Sequence, residues 1–275
     1  MAGCGSTGCR ADWRIPVKVC PPLTANASFD WSPITSALRF TQAARVFRPR
    51  YPRRGERFEG LLPPVVAAPA FAIRKPAVAV FALDDYVAAG IMSSDQAHAL
   101  RGAIGARKNI LVAGGTSSGK TTLTNALLAE VAKTSDRVVL IEDTRELQCK
   151  APNLVALRTK DRVVSLSDLV RSSLRLRPDR IPIGEVRGAE ALDLLKAWGT
   201  GHPDPCGTAL GALRRLEQLI QEAVVTVLRA LIAETINVIA VLSGRGADRR
   251  LTELAGVSGL GPCCDYSLTE MGDKS

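Results

Sequence analysis

Eight residues from Gly114 to Thr121, GGTSSGKT, match the pattern G-x-x-x-x-G-K-[S/T] at every fixed position. Glycines let the backbone of such a loop wrap closely around a ligand, with its amides pointing inward at phosphate oxygens. The lysine can reach the β- and γ-phosphates of a nucleotide, and the next hydroxyl can ligate Mg²⁺. The pattern therefore predicts ATP and Mg²⁺ as cofactors. The predicted binding residues are Gly114, Gly115, Thr116, Ser117, Ser118, Gly119, Lys120, Thr121 and Thr122.

The sequence around this loop provides the setting that the chemistry needs. An apolar run at 109–113, NILVA, is typical of a buried strand, and a helical pattern at 120–133 follows the loop. A loop that opens a helix presents the positive end of the helix dipole to an anion. An ordinary glycine- and serine-rich turn is the alternative interpretation, and the complete pattern in this setting favours a phosphate-binding loop.

Acidic side chains stand at the ends of two other predicted strands. Glu142 ends the apolar run 137–142, with Glu146 close behind it, and Glu185 lies near the end of the run 180–186. The carboxyl ends of parallel strands converge on the ligand crevice of a sheet. One carboxylate could hold Mg²⁺ through water while another orients an attacking water. Solvated acids at strand ends are the alternative, and two of them beside a phosphate loop favour a catalytic site.

Strand and helix patterns alternate through the second half of the chain. This alternation predicts an α/β fold with a mostly parallel sheet that is covered on both faces. Two short helices are expected within 83–106, the second of them capped by Ser94, and short β-segments are expected within 56–82. The predicted strands are 109–113, 137–142, 153–159, 180–186 and 237–244, and the predicted helices are 120–133, 166–176, 189–199, 208–222 and 228–236.

Composition favours a folded protein that is not embedded in a membrane. Of the 275 residues, 46% are hydrophobic and only 4% are aromatic, which suits aliphatic buried strands. No apolar run reaches the roughly 18 residues that a membrane span requires. Residues 1–17 contain no continuous apolar segment of the kind found in secretory signals. We therefore expect a cytoplasmic location.

The positive charge of the chain is concentrated near its start. Residues 1–60 hold ten Arg and Lys and four Asp and Glu, a net charge of +6, which leaves +3 for the remaining 215 residues. A solvated basic segment explains this excess, and the same charge would attract an anionic membrane surface. Nucleic acid is not expected as a direct ligand, because the rest of the chain is nearly neutral and lacks interleaved aromatic and basic residues.

The number and spacing of cysteines and histidines are not those of a zinc-binding site. The seven cysteines include no C-x-x-C pair, and only two histidines, His98 and His202, are present. An odd number of irregularly spaced cysteines predicts reduced thiols in a reducing compartment.

Three longer segments resemble the type II/type IV secretion traffic ATPases, and within that family the conjugal-transfer ATPases. GGTSSGKTTLTNALL, LIEDTREL and LRLRPDRIPIGEVRGAEALDLLKAWGTGH are similar to its Walker A, Asp-box and Walker B regions. The likeness implies a RecA-like P-loop core, a small N-terminal α+β domain and a homohexameric ring. It also implies a cytoplasmic ATPase, peripheral to the inner membrane, that powers pilus assembly or substrate transfer with the secretion and conjugation machinery. By this resemblance, Glu142 is the general base, Glu185 is the Walker B acid that holds Mg²⁺ through water with Thr121, and Lys120 completes the catalytic set.

Two departures from the family pattern shape the expected domains. Residues 1–54 do not resemble the family, and we expect them to be a poorly ordered basic segment. We expect residues 55–106 to form a partial N-terminal domain and linker. Residues 107–275 are expected to form the RecA-like domain. After GTGHP the family continues with a glycine-rich strand that ends in Thr-x-His-Ala, the His box. Here that strand is expected to be missing at 203–207, where DPC stands in its place.

Three classes of function follow from the sequence. The first is a secretion-type ATPase, and the second is a nucleic-acid motor on the same RecA-like core. The third is a nucleotide-binding relic of the family whose hydrolysis is impaired by the missing His box. The sequence does not identify the transported substrate.

Overall fold

The computed structural model of this chain divides into two compact units, Met1–Pro76 and Ala77–Ser275. The described residues are 46–47, 57–61, 64–68, 70–74, 79–160, 162–184, 208–221, 229–261 and 265–272.

The described part of the first unit is a small antiparallel sheet. Its strands are β1 (Val46–Phe47), β2 (Arg57–Leu61) and β3 (Ala70–Arg74), in the order β1-β2-β3. Strand β2 lies between the other two, with Leu61 opposite Val46 on one side and Ala70 on the other. The short β-segments predicted within 56–82 are confirmed by β2 and β3.

The second unit contains alternating strands and helices. Its helices are α1 (Leu83–Ala88), α2 (Ser94–Gly105), α3 (Lys120–Val131), α4 (Leu166–Ser173), α5 (Ala209–Gln221) and α6 (Arg229–Thr235). Its strands are β4 (Ile110–Gly114), β5 (Val138–Glu142), β6 (Leu154–Arg158), β7 (Val238–Ser243), β8 (Arg250–Leu260) and β9 (Tyr266–Glu270). The strands β4 to β7 and the helices α3 to α6 lie where the sequence patterns predict them.

Parallel pairing places the ends of the key strands side by side. Within the described residues, β4-β7-β8-β9 form one sheet and β5-β6 another, and β4 pairs with β7, and β5 with β6, in parallel. The segment 180–184 also runs parallel to β5, since the Ile141 N–H donates to the Pro182 carbonyl and the Gly184 N–H donates to the Ile141 carbonyl, both at 2.9 Å. Of the predicted strand 180–186, the described residues 180–184 form isolated parallel bridges with β5, at Arg180 and Ile183, and not a continuous strand.

Alternate residues of the parallel strands pack into two separate cores. Leu111, Ile141 and Ile239 belong to one apolar cluster, while Ile110 and Val238 belong to the other. Successive side chains of a strand point to opposite faces, so each of the two faces of these parallel strands is covered by its own core. This arrangement confirms the predicted α/β architecture.

The antiparallel strands β8 and β9 were not predicted. Strand β8 pairs with β7 on one side and β9 on the other, and both pairings are antiparallel. Glycines interrupt the apolar alternation of β8, and the register shifts between Val257 and Gly259. The sequence signal of a strand was therefore weak here.

The cap of α2 differs from the prediction by one residue. Ser93, not Ser94, occupies the N-cap, and its Oγ accepts the Gln96 N–H at 3.1 Å. The Gln96 side chain in turn accepts the Ser93 N–H at 3.0 Å, which completes a capping box. Ser94 is the first residue inside the helix, because the reciprocal pair requires a spacing of three residues.

Two predicted features lie outside the described residues, namely the helix 189–199 and the segment 203–207. Among the helices that the structure describes, none is both long enough and apolar enough to cross a membrane.

Candidate nucleotide-binding site

The phosphate-loop pattern lies between a buried strand and the start of a helix, as predicted. All five residues of β4 are buried, and α3 begins at Lys120 directly after the loop. Within the loop, the Ser118 N–H donates to the Gly115 carbonyl at 3.2 Å. The Gly119 carbonyl accepts the Leu123 N–H at 2.9 Å, which is the first hydrogen bond of α3. The loop therefore leads straight into the positive end of a helix dipole.

Two glycines of the loop occupy positions that a larger residue could not. A Cβ added to Gly114 would lie 2.3 Å from the carbonyl oxygen of Leu242 on β7. Gly119 has a φ of 97°, a left-handed conformation that side chains rarely adopt. Close packing at Gly114 and the left-handed backbone at Gly119 therefore explain why this fold needs glycine at both fixed positions.

Lys120 folds back onto the loop that it belongs to. Its Nζ donates to the carbonyls of Gly114 at 2.7 Å and Gly115 at 3.1 Å. The ammonium group therefore lies over the mouth of the loop, where the phosphates of a nucleotide are expected.

The serines and Thr116 complete the loop. Thr116 and Ser117 are exposed, and Ser117 has a φ of 67°, an unusual conformation that is common at functional sites. Ser118 is buried, and its hydroxyl has no hydrogen-bond partner among the described residues. A buried hydroxyl without a partner is unfavourable, and an oxygen-rich ligand could satisfy it.

Thr121 lies beside a carboxylate that the sequence patterns did not assign. Its Oγ1 donates to Glu146 Oε2 at 3.3 Å. Thr122 follows it in the first turn of α3 and is half-buried. A hydroxyl and a carboxylate at this separation supply the oxygen ligands that Mg²⁺ prefers, directly or through water.

Glu142 is buried at the end of β5 and braces the loop that follows it. Its Oε2 accepts the N–H groups of Glu146 at 2.9 Å and Leu147 at 3.1 Å. Burial raises the pKa of the Glu142 carboxyl, while these two hydrogen bonds act in the opposite direction. Glu142 therefore fixes the backbone that carries Glu146.

Asn125, one turn along α3 from Thr121, holds the same loop from the other side. It is fully buried, its Nδ2 donates to the Glu146 carbonyl at 3.2 Å, and its Oδ1 accepts the Gln148 N–H at 2.8 Å. Sequence reasoning missed this residue. The available signal was a polar residue among the apolar residues of the helix.

Glu185 lies outside the described residues. The residue before it, Gly184, passes close to Glu142, since a Cβ added to Gly184 would lie 3.1 Å from the Glu142 Cβ. The structure therefore brings together Lys120, Thr121 and Glu142, adds Glu146 and Asn125, and does not describe Glu185.

The site combines an anion cradle with nearby carboxylates. Backbone amides, a helix N-terminus and a lysine suit the phosphates of a nucleotide, and Thr121 with Glu146 suits Mg²⁺. The residues present fit a Mg²⁺–nucleotide complex. The described part of the chain contains no group of three or more His, Cys, Asp or Glu residues suited to a metal on its own.

This fold and site define a P-loop nucleotide-binding protein, and comparison with known proteins identifies its family. A family model described as type II/IV secretion system protein matches residues 35–245. Because the match covers most of the chain, the chain belongs to the type II/IV secretion system protein family. The resemblance inferred from the sequence segments is confirmed.

Individual relatives agree with this assignment. The conjugal transfer protein TrbB of Rhizobium radiobacter is 50% identical over 215 residues, which are 76% of this chain and 66% of that protein. This chain thus spans just under two thirds of that relative's length. The predicted resemblance to the conjugal-transfer members is confirmed.

Solved structures confirm the RecA-like fold class. The VirB11 ATPase from the Brucella suis type IV secretion system, in complex with sulphate, is 26% identical with a TM-score of 0.52, covering 76% of this chain and 73% of that one. The pilus retraction motor PilT with bound ADP has a TM-score of 0.56 at 20% identity, covering 84% of this chain and 64% of that one, which supports the fold alone.

Proposed function

We propose that this chain is the ATP-hydrolysing motor of a conjugative or type IV secretion system, powering pilus assembly or substrate transfer. The observation that carries the proposal is the phosphate loop between β4 and α3, with Lys120 at its mouth and the Thr121–Glu146 contact beside it. The family and the names of its conjugal-transfer and VirB11 relatives support this function.

The residues of the loop divide the binding task. The amides of Gly115 to Thr122 and the N-terminus of α3 bind the phosphate chain. Lys120 exchanges the carbonyls of Gly114 and Gly115 for phosphate oxygens, which are stronger acceptors because they are charged. The Thr121 hydroxyl would help to hold Mg²⁺, which would supply neutralisation of part of the charge on the phosphates.

The acidic residues divide the hydrolytic task. In this proposal Glu142 acts as general base, as the resemblance implies, and Glu185 holds Mg²⁺ through water with Thr121. Glu146 faces Thr121 directly and shares the metal position. Because Glu142 also braces the Glu146 backbone, loss of its charge would disturb both carboxylates.

Partners follow from the family in the same proposal. We expect a homohexamer that is cytoplasmic, peripheral to the inner membrane and associated with the secretion and conjugation machinery. Nucleic acid is not proposed as a direct ligand.

Impaired hydrolysis is the second candidate, and a specific sequence observation favours it. Between Pro203 and Gly207 the sequence DPC stands where the family pattern has the glycine-rich His-box strand. Pro203 and Pro205 lack the N–H groups that a central strand needs. We propose that the chain binds ATP but turns it over more slowly than relatives that have the strand.

The test is equilibrium binding and steady-state hydrolysis of Mg²⁺–ATP by the purified chain, with its mass in solution. ATP binding with Mg²⁺-dependent turnover supports the motor, and binding with slow turnover that rises when the His-box strand is restored supports the impaired form. Insertion of a glycine-rich strand ending in Thr-x-His-Ala between Pro203 and Gly207 should then raise turnover several-fold. A chain that does not bind ATP would contradict both candidates.

A further inference from the structure

Arg249 lies next to the phosphate loop, on the connection between β7 and β8. Strand β7 runs parallel to β4, with Leu242 opposite Gly114, so the connection after β7 begins beside the loop that follows β4. A short turn closes this connection, in which the Asp248 N–H donates to the Arg245 carbonyl at 3.1 Å. The topology therefore brings a residue 129 positions after Lys120 to the same end of the sheet.

The Arg249 side chain packs against the loop itself. Its Nη2 lies 3.5 Å from the Ser117 carbonyl oxygen, at the long end of the hydrogen-bond range. A Cβ added to Gly119 would lie 2.7 Å from its Nε and 2.9 Å from its Cζ. Glycine at position 119 thus leaves room for this guanidinium as well as for the loop conformation.

The charge around the loop favours an anion at this position. Helix α3 presents its positive end here, begins with Lys120 and has no acidic residue in its first turn. The Arg249 guanidinium adds a second cation beside them. A phosphate oxygen would be a stronger acceptor for Arg249 than the carbonyl of Ser117, because charge-assisted hydrogen bonds are roughly twice as strong as neutral ones.

The backbone that carries Arg249 is held in place by the core. Two residues further on, the Leu251 N–H donates to the Ile91 carbonyl at 2.7 Å. Tyr86 on α1 is buried, and burial raises the pKa of its phenol while the charge of Arg249 acts against this increase. The backbone two residues from Arg249 is therefore hydrogen-bonded to the segment after α1, and a fixed backbone helps to position a ligand-binding side chain.

We propose that Arg249 binds the phosphate chain of the nucleotide together with Lys120. This inference rests on the proposed function, because it concerns the same site. Arg249 lies four residues beyond the end of the family-model match, and no sequence pattern singled it out.

The experiment compares Arg249→Met with Arg249→Lys and with the matched control Arg245→Met, which removes an exposed arginine from the same turn. Calorimetric titration with ATP and ADP should show affinity about tenfold to a hundredfold weaker for Arg249→Met, the range expected for a lost charge-assisted hydrogen bond. Arg249→Lys should recover part of the loss, and Arg245→Met should bind within about twofold of the parent chain.

A second measurement separates phosphate binding from a structural role. ATP affinity of the parent chain should fall more steeply with added NaCl than that of Arg249→Met, since salt screens the lost charge contact. Equal affinities for Arg249→Met and the parent, or equal salt dependence, would overturn the inference while leaving the proposed function intact. A parent chain that fails to bind ATP would overturn both.

Discussion

The phosphate loop (114–121) and the segment 143–148 after β5, here called the acidic loop, lie at the same end of the fold. Different kinds of contact fix their conformations. Backbone geometry shapes the phosphate loop, through close contacts at Gly114 and a left-handed Gly119. Side chains from elsewhere in the sequence shape the acidic loop, with Glu142 and Asn125 fixing the backbone around Glu146. The first loop packs against Leu242 of β7, and the second depends on Asn125 of α3 for its position.

A partly buried ion-pair network of Asp136, Arg180 and Arg107 attaches the start of β5 and the segment 180–184 to the rest of the second unit. Asp136, just before β5, accepts from Arg180 Nε at 2.7 Å and pairs with Arg107. Arg180 also donates to the Ile104 carbonyl at 2.7 Å. This network anchors the segment 180–184 that leads towards Glu185, so the acidic side of the site depends on long-range ion pairs.

Loss of the loop cation should have the largest effect. Lys120→Ala should weaken ATP binding by about a hundredfold or more, because the ammonium would make several charge-assisted contacts with the phosphates. Titration with Mg²⁺–ATP measures this effect, with Lys133→Ala as control, since Lys133 pairs only with Glu130 near the other end of α3 among the described contacts. If Lys120→Ala binds ATP with the affinity of the parent chain, the phosphate loop is not the nucleotide-binding site.

Neutral isosteres on the acidic side should slow hydrolysis more than they weaken binding. Glu142→Gln and Glu185→Gln should each lower turnover by about a hundredfold while ATP affinity changes less than about threefold, because shape is kept and charge is lost. Steady-state rates and titrations measure the two quantities. If both variants turn over ATP like the parent, the assignment of the acids is wrong.

Loss of the ion pairs of Asp136 with Arg180 and Arg107 should lower the stability of the fold, and the size of this effect should depend on pH. Asp136→Asn should reduce the melting temperature by about 3–6 °C at neutral pH, because it weakens the bonds to Arg180 and Arg107. Hydrogen bonding to Arg180, then to Arg107, lowers the pKa of Asp136 below its usual value.

The lowered pKa fixes the direction of the pH dependence. The contribution of Asp136 to stability is present above the ordinary aspartate pKa and is lost as pH falls through the lowered one. Melting temperatures of the parent and Asp136→Asn should therefore converge in acid. A gap between them that stays constant down to about pH 2 would exclude the ion pair as its cause.

Removal of the first 54 residues should have the smallest effect. A chain that starts at Gly55 loses β1, which pairs two residues with β2, and keeps the whole second unit. ATP affinity should change by less than about twofold, because every described residue of the site belongs to the second unit. Precipitation of the shortened chain, or loss of nucleotide binding, would show that they are structural.

Sequence alone predicted the phosphate loop because each of its functions depends on local residue types. The glycines, Lys120 and Thr121 occur in one short pattern between a strand and a helix, and the structure places that pattern as expected. Asn125 and Arg249 could not be predicted in this way, since their roles arise from the packing of distant segments. Strands β8 and β9 were missed for a related reason, because pairing overrides the weak local preference of a glycine-rich segment.

The most direct test measures ATP affinity and turnover on the same preparations of the parent chain, Lys120→Ala and Glu142→Gln. We predict that Lys120→Ala loses affinity and therefore turnover, while Glu142→Gln keeps affinity and loses turnover alone. This result would establish that the phosphate loop binds the nucleotide and that the acidic loop hydrolyses it. Parent-like affinity and turnover in both variants would contradict the account.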